Sequence, residues 1–198
     1  MNQEHLHSQY KAIVIGGSAG SFQVISAILQ ALPEKFPIPI IMCLHRLKHV
    51  RTGFVEALNI KSAKVIEEPE DKESIRRGGI YLAPANYHLA VELGNTFTMS
   101  TEEMVNNSRP AIDITFQTAA YVFRNKLIGV LLSGANKDGA IGMKYIHERG
   151  GITLIQDPAE CLIDTMPKAA LDITSVDYTY KTNQIINFLL TLHKQYVA

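Results

Sequence analysis

The stretch KAIVIGGSAGSFQVISAIL, residues 11–29, decides the fold. It opens on a run of consecutive apolar, β-branched residues over 11–16, without the alternation of a half-exposed strand. Such a run suits a strand buried on both faces of a parallel sheet. Small residues follow, from Gly16 to Ser21. Then Phe22, Ile25, Ile28, Leu29 and Leu32 recur at helical spacing until Pro33 stops them. Strand, glycine turn and helix in that order begin a β-α-β unit.

Three more runs read the same way: IPIIMCLH (38–45), KLIGVLLSG (126–134) and GITLIQD (151–157). Helical spacing returns at 110–124, where Pro110 opens the segment and Ile112, Phe116, Ala119, Ala120 and Phe123 share one side. It returns again at 139–149 and at 182–195. This alternation predicts an α/β fold, a doubly wound, mostly parallel sheet with helices on both faces. Residues 65–100 break the rhythm and predict a small β excursion, a hairpin packed beside the main sheet. The charge run EEPEDKESIRR inside it reads as a solvated loop. With no internal repeat, low-complexity tract or linker, the expectation is one domain over 1–198.

The composition narrows the function. In 198 residues, 46% hydrophobic, Lys and Arg number 19 against 19 Asp and Glu, so no net field draws nucleic acid or an anionic membrane. The start, MNQEHLHSQYK, lacks a signal peptide's layout, and no run approaches the roughly 18 apolar residues of a membrane span. Cys43 and Cys161 have no metal-ligand spacing and read as two buried thiols of a reducing compartment. A cytoplasmic protein is expected, with no nucleic-acid partner, no membrane insertion, no metal and no cofactor.

The glycine turn has two chemical readings. Gly16-x-Ser18-x-Gly20, between a strand and a helix, is a nucleophile-elbow signature: small neighbours let the chain turn sharply and lift the serine hydroxyl clear of the sheet. N–H groups at the helix start also suit an oxyanion or a bound anion. The turn alone leaves nucleophile and anion cradle both open. A dinucleotide fingerprint is missing, because Ser18 stands where G-x-G-x-x-G begun at Gly16 needs glycine, and the second strand ends in MCLHR rather than in an acid. No Walker loop follows. An ordinary α/β-hydrolase is disfavoured too, since only one strand precedes Ser18.

A serine nucleophile needs a base, and the base an orienting acid. In an open α/β sheet these belong at the carboxyl ends of the strands. His45 follows the second apolar run, and Asp138 follows the third in VLLSGANKDGAIGM. Ser18, His45 and Asp138 thus fall at three strand ends on one edge. Asp138 has a competing structural role as the cap of the helix that follows it. His88, in APANYHLAV, is a further candidate to line the site. His147 reads as exposed, and His5, His7, His49 and His193 form no pattern.

The ordered segments IGGSAGS, CLHRLKHVRTGFVEALN, GGIYLAPANYHL, RPAIDITF, VLLSGANKDGAIGM and GGITLIQDPAECLIDTMPKAA resemble the catalytic domain of the chemotaxis protein-glutamate methylesterases, the CheB family, over about residues 10–195. The resemblance implies a doubly wound α/β serine hydrolase with Ser18 as nucleophile, His45 as base and Asp138 as acid. It implies cleavage of γ-glutamyl methyl esters on methylated chemoreceptor helices, or on another methylated protein, and deamidation of particular glutamines. The backbone N–H groups of Ala135 and Ala19 are implied as oxyanion donors, Ala135 standing where the family has methionine. Asn136 replaces a family glycine and is a candidate to line the substrate site. Lys137 adds a positive charge, and Ala19 and Ser21 replace the commoner threonine and glycine. Family members also carry a receiver domain ahead of this one. Only 17 residues precede Ser18, so the expectation, if these residues are the whole gene product, is a stand-alone form that is either constitutive or under a trans-acting regulator. The competing expectation is a non-catalytic binding module of the same fold.

Overall fold

The computed structural model describes residues 10–46 and 53–197. In chain order come β1 (Ala12–Gly17), α1 (Ser21–Ala31), β2 (Ile40–Leu44), α2 (Phe54–Lys61), β3 (Ile66–Glu67) and β4 (Ile80–Leu82). Next are β5 (His88–Glu92), β6 (Thr96–Ser100), α3 (Ile112–Phe123), β7 (Leu127–Leu131) and α4 (Ala140–Glu148). The chain closes with β8 (Ile152–Gln156), α5 (Thr165–Ile173), β9 (Tyr178–Tyr180) and α6 (Thr182–Val197). His5, His7 and His49 lie outside the described residues.

Among the described residues seven strands pair in the order β3-β4-β2-β1-β7-β8-β9, all parallel. Every residue of β1, β2 and β7 is buried. Alternate positions feed two cores. Ile13, Ile15, Ile40, Met42, Ile128 and Val130 pack with α1 and α6, whereas Ala12, Val14, Ile41, Cys43 and Leu131 pack with α3, α4 and α5. Two buried faces explain the unbroken apolar runs. Each large side chain buried in this way contributes roughly 1.5–3 kcal/mol relative to exposure. The doubly wound parallel sheet is the one expected from the sequence.

The middle of the chain departs from the expectation. β3 and β4 of the predicted excursion join the main sheet as its edge, and only β5 and β6 form the separate antiparallel hairpin. Short strands flanked by turns look alike in sequence whether or not a parallel neighbour awaits them. The charge run is largely exposed, and Arg76 pairs with Glu67 and Glu73 there. α3 begins at Ile112, two residues after Pro110, which follows a cis peptide. The short α2, α5 and β9 have no counterpart in the sequence reading.

β1 is the middle of the arrangement: β2 lies on one side and β7 on the other. Where neighbouring connections leave in opposite directions, a crevice opens at the carboxyl ends of the strands. Gly16 lets α3 reach that crevice, since a Cβ there would stand 2.5 Å from Ile112 Cγ2. The site lies at this switch point.

Candidate active site

Register brings three strand ends level. Gly17 of β1 pairs with Leu44 of β2, and Gly16 pairs with Leu131 of β7. Ser18 leaves the first strand, His45 the second, and Asp138 lies in the loop after the third. The turn that carries Ser18 is tied to both neighbours. Ser18 N–H donates to Ser133 O (2.9 Å), and His45 N–H donates to Gly17 O (3.1 Å). The buried Ser133 hydroxyl donates to Ala19 O at 2.8 Å. Ser18 itself is not among the left-handed residues; Gly20, at φ 88°, absorbs the turn, and its missing side chain leaves room for Ser133 Oγ. The strain expected at a nucleophile elbow is therefore carried two residues later, by the one residue type that adopts it without steric cost.

His45 Nε2 and Asp138 Oδ2 are 2.7 Å apart, with side chains 13% and 0% exposed. A carboxylate at that distance makes Nε2 the protonated nitrogen, because an ionised acid can only accept. The lone pair then belongs to Nδ1, on the ring's other side. Ser108 Oγ, 3.3 Å away, is the hydroxyl that meets Nδ1. Ser18, Ala19, His45, Arg46, Ser108 and Arg109 line one cleft of about 540 Å³. Among the described residues Ser18 Oγ makes no hydrogen bond, and neither do the N–H groups of Ala19 and Ala135. Ala19 lines the cleft, whereas Ala135 is not among its lining residues.

Asp138 caps chiefly the neighbouring helix α3, and it meets the helix that follows it only at the Gly139 N–H it shares with Asp113. Its oxygens accept N–H bonds from Ile112 (2.7 Å) and Asp113 (3.1 Å) at the start of α3, from Gly139 (3.1 Å), and from the Asn106 amide (3.1 Å). Burial pushes this carboxyl up. The His45 hydrogen bond and the α3 N–H groups more than offset it, so the group is held below the usual carboxylate range. α4 takes its cap from Asp113 instead, whose Oδ1 accepts from Gly139 (2.9 Å) and Gly142 (2.8 Å). The two carboxylates are exchanged between the two helices.

Three residues of this site were missed in sequence: Asn106, Ser108 and Asp113. For the first two the signal was the NN pair in VNNSRP. Asn106 and Asn107 both have positive φ, 50° and 61°, between Val105 and Ser108, which exchange backbone hydrogen bonds. That is the turn asparagine favours. It aims Asn106 at the carboxylates and Ser108 at His45.

Two candidates for substrate lining take other roles. His88 is buried. Its Nε2 donates to Glu103 O (2.9 Å), and its Nδ1 accepts from Ala111 N–H (3.2 Å), so it straps the loop carrying Asn106 and Ser108 at both ends. It is not among the residues that line the cleft. Replacing it, His88→Leu, leaves both backbone groups unpaired and is expected to cost about 2–4 kcal/mol, read by urea denaturation. Asn136 is turned to Asn106 O (3.2 Å) and Ser108 Oγ (3.5 Å), bracing the turn from behind. Lys137 and Ala135 are exposed, as is His147. Cys43 and Cys161 are free thiols. No helix among the described residues is long and apolar enough to cross a membrane, and none of their His, Cys, Asp and Glu side chains cluster as metal ligands.

Comparison with known proteins shows the family and the fold. The family model "CheB methylesterase" matches residues 13–189. A protein of Leptospira interrogans, provisionally named a protein-glutamate methylesterase/protein-glutamine glutaminase, is 46% identical over 187 residues, 92% of this chain and 95% of its own length. The protein-glutamate methylesterase/protein-glutamine glutaminase of Thermotoga maritima is 32% identical over 189 residues; the match covers 92% of this chain and 54% of that relative. The crystal structure of the Thermotoga maritima CheB methylesterase catalytic domain superposes with a TM-score of 0.87 at 31% identity, covering 92% of this chain and 98% of that one.

Proposed function

The chain belongs to the CheB methylesterase family, and from that premise we propose that it is a protein-glutamate methylesterase, a serine hydrolase acting on γ-glutamyl methyl esters of chemoreceptor helices. The observation that carries the reading is the 2.7 Å His45–Asp138 bond, which leaves Nδ1 to the cleft where Ser18 stands.

His45 Nδ1 takes the Ser18 proton as Oγ bonds to the ester carbonyl carbon. Asp138 holds Nε2–H and stabilises the imidazolium that forms. The N–H groups of Ala19 and Ala135 receive the oxyanion. As the tetrahedral intermediate collapses, the C–OCH3 bond breaks, and His45 returns the proton to the departing methoxide, giving methanol. Water, deprotonated by the same Nδ1, then attacks the acyl-enzyme and frees the glutamate carboxylate and Ser18. A glutamine side chain follows the same route with ammonia leaving, the second activity named for the relatives. Ser108 meets the Nδ1 lone pair at rest, so Ser18 takes its place there for the reaction.

The cleft's rim supports a protein substrate. Phe22, Met104 and Leu162 are 38%, 46% and 79% exposed beside it, apolar ground that a helix covers and a small polar ester does not. The test is release of labelled methanol from a methylated chemoreceptor cytoplasmic fragment. Release that saturates with fragment concentration is expected. A folded protein that releases none, and no ammonia from the amidated fragment, overturns the proposal.

A further inference from the structure

We propose that Asp113 is a positioning residue for this reaction: its carboxylate, joined to Asp138 through the Asn106 amide, sets how strongly His45 holds a proton. The proposal rests on the triad reading above but adds a second acid behind it.

The geometry is a closed cluster. Asn106 Nδ2 spends one N–H on Asp113 Oδ2 (2.9 Å) and the other on Asp138 Oδ1 (3.1 Å). Gly139 N–H is shared by the two acids, at 2.9 Å from Asp113 and 3.1 Å from Asp138. Both side chains are sealed from solvent, at 1% and 0% exposure. Two carboxylates bridged by common donors in a dry pocket do not ionise independently. Asp138 has five donors, His45 among them, and keeps its charge. Asp113 has three, and burial, together with the Asp138 charge, pushes its carboxyl up to about 6.

A cap alone has no need of this coupling. A helix start is served as well by serine or asparagine, which carry no charge. Here the second acid passes from neutral to charged near pH 6. The charge it gains lies behind Asp138, on the side away from Nδ1. Ionised, Asp113 strengthens the hold on the His45 proton and favours the imidazolium of the transition state. Protonated, it withdraws that support.

The groups facing Asp113 come from every neighbouring element. α4 presents the Gly139 and Gly142 N–H groups, and the loop before it presents Asp138. The 105–108 turn presents Asn106. His45, just past the end of β2, faces it through Asp138, and β2 itself contributes the Cys43 thiol, which burial first and then both acids push upward. From β5, His88 lies on the Ala111 N–H, next to the start of α3, and Thr115 of α3 itself bonds to Leu89 O.

The experiment follows the ¹⁵N shifts of the His45 ring with pH, which needs no turnover, beside kcat and KM for methanol release. Wild-type His45 is expected to register a step near pH 6 from Asp113. kcat should fall on the order of tenfold across it, the size of one pK unit of coupling, with KM unchanged. In Asp113→Asn the step disappears and kcat stays at the lower level at all pH. In Asn106→Ala, Asp113 loses a donor that favours its charged form, so the step moves to higher pH. A step that survives Asp113→Asn, or a wild-type ring that registers none, overturns the proposal. If Asp113→Asn fails to fold, an unmoved step in Asn106→Ala overturns it alone. Failure of methanol release with the step intact would count against the function and not against the acid pair.

Discussion

Ser18→Ala lowers methanol release on the order of 10⁵–10⁶-fold, the scale on which a serine triad loses its nucleophile. Stability changes by less than about 0.5 kcal/mol, as for substitutions that break no buried contact. The side chain is half-buried and makes no hydrogen bond among the described residues. The bonds that shape the turn, Ser18 N–H to Ser133 O and Ser21 N–H to Ser18 O, belong to the backbone and survive. A residue that costs everything in rate and nothing in stability is there for chemistry. The structure supplies a sharp rival in Ser108, whose hydroxyl, not that of Ser18, meets His45 Nδ1. What separates the two serines is the oxyanion side. Ser18 has the open N–H groups of the turn and the start of α1 beside it, whereas the Ser108 N–H is bonded to Val105 O. A fluorophosphonate is therefore expected to label Ser18 in the wild-type protein, and to label nothing in Ser18→Ala. Label on Ser108, or near-normal release from Ser18→Ala, refutes the assignment.

Asp138→Asn has the second largest effect, about 10⁴-fold in turnover. The reason lies in which nitrogen carries the proton. With an amide NH2 facing Nε2, that nitrogen becomes the acceptor and the ring proton moves to Nδ1. Nδ1 can then take no proton from Ser18. The same change tests the structural role. Asp138 Oδ2 also accepts from Ile112 N–H, and an amide donor placed there opposes the α3 cap at a cost of about 1–2 kcal/mol. Because the folded protein holds this carboxyl below its unfolded value, its contribution to stability is present above about pH 4 and lost as pH falls further. Asp138→Asn should lose that acid-side decline, seen as a flatter dependence of Tm on pH between 5 and 2. Loss of stability with nearly unchanged turnover would make Asp138 a cap and nothing more.

The exchange of caps shows where reading along the chain stops. The residue before a helix is its expected cap, and Asp138 before GAIGM fits that rule. The rule is local, and it fails here because α3 and α4 start side by side in the same crevice. An acid there satisfies whichever N–H groups are nearest in space. His88 and Asn136 fail as lining residues for a related reason. Composition marks them as polar and near the motifs but does not say which way a strand or a turn faces. Asn106 and Ser108 were missed as parts of a site, since the partner of Ser108 lies 63 residues away.

By itself the sequence determined the β-α-β rhythm, through unbroken apolar runs that only two-sided burial explains. It also determined the turn at Gly20, and that Ser18, His45 and Asp138 each follow such a run. These are properties of neighbours along the chain: period, β-branching, and the freedom of glycine. The tertiary structure alone decided the strand order β2-β1-β7, which sets the three ends side by side. It decided that Asp138 meets Nε2 of His45 and leaves Nδ1 free of it, and that Asp113 shares donors with Asp138. Hydrogen bonds spanning 26 to 93 residues make these choices. Their geometry depends on how the helices close over the sheet, and no segment of the chain carries that information alone.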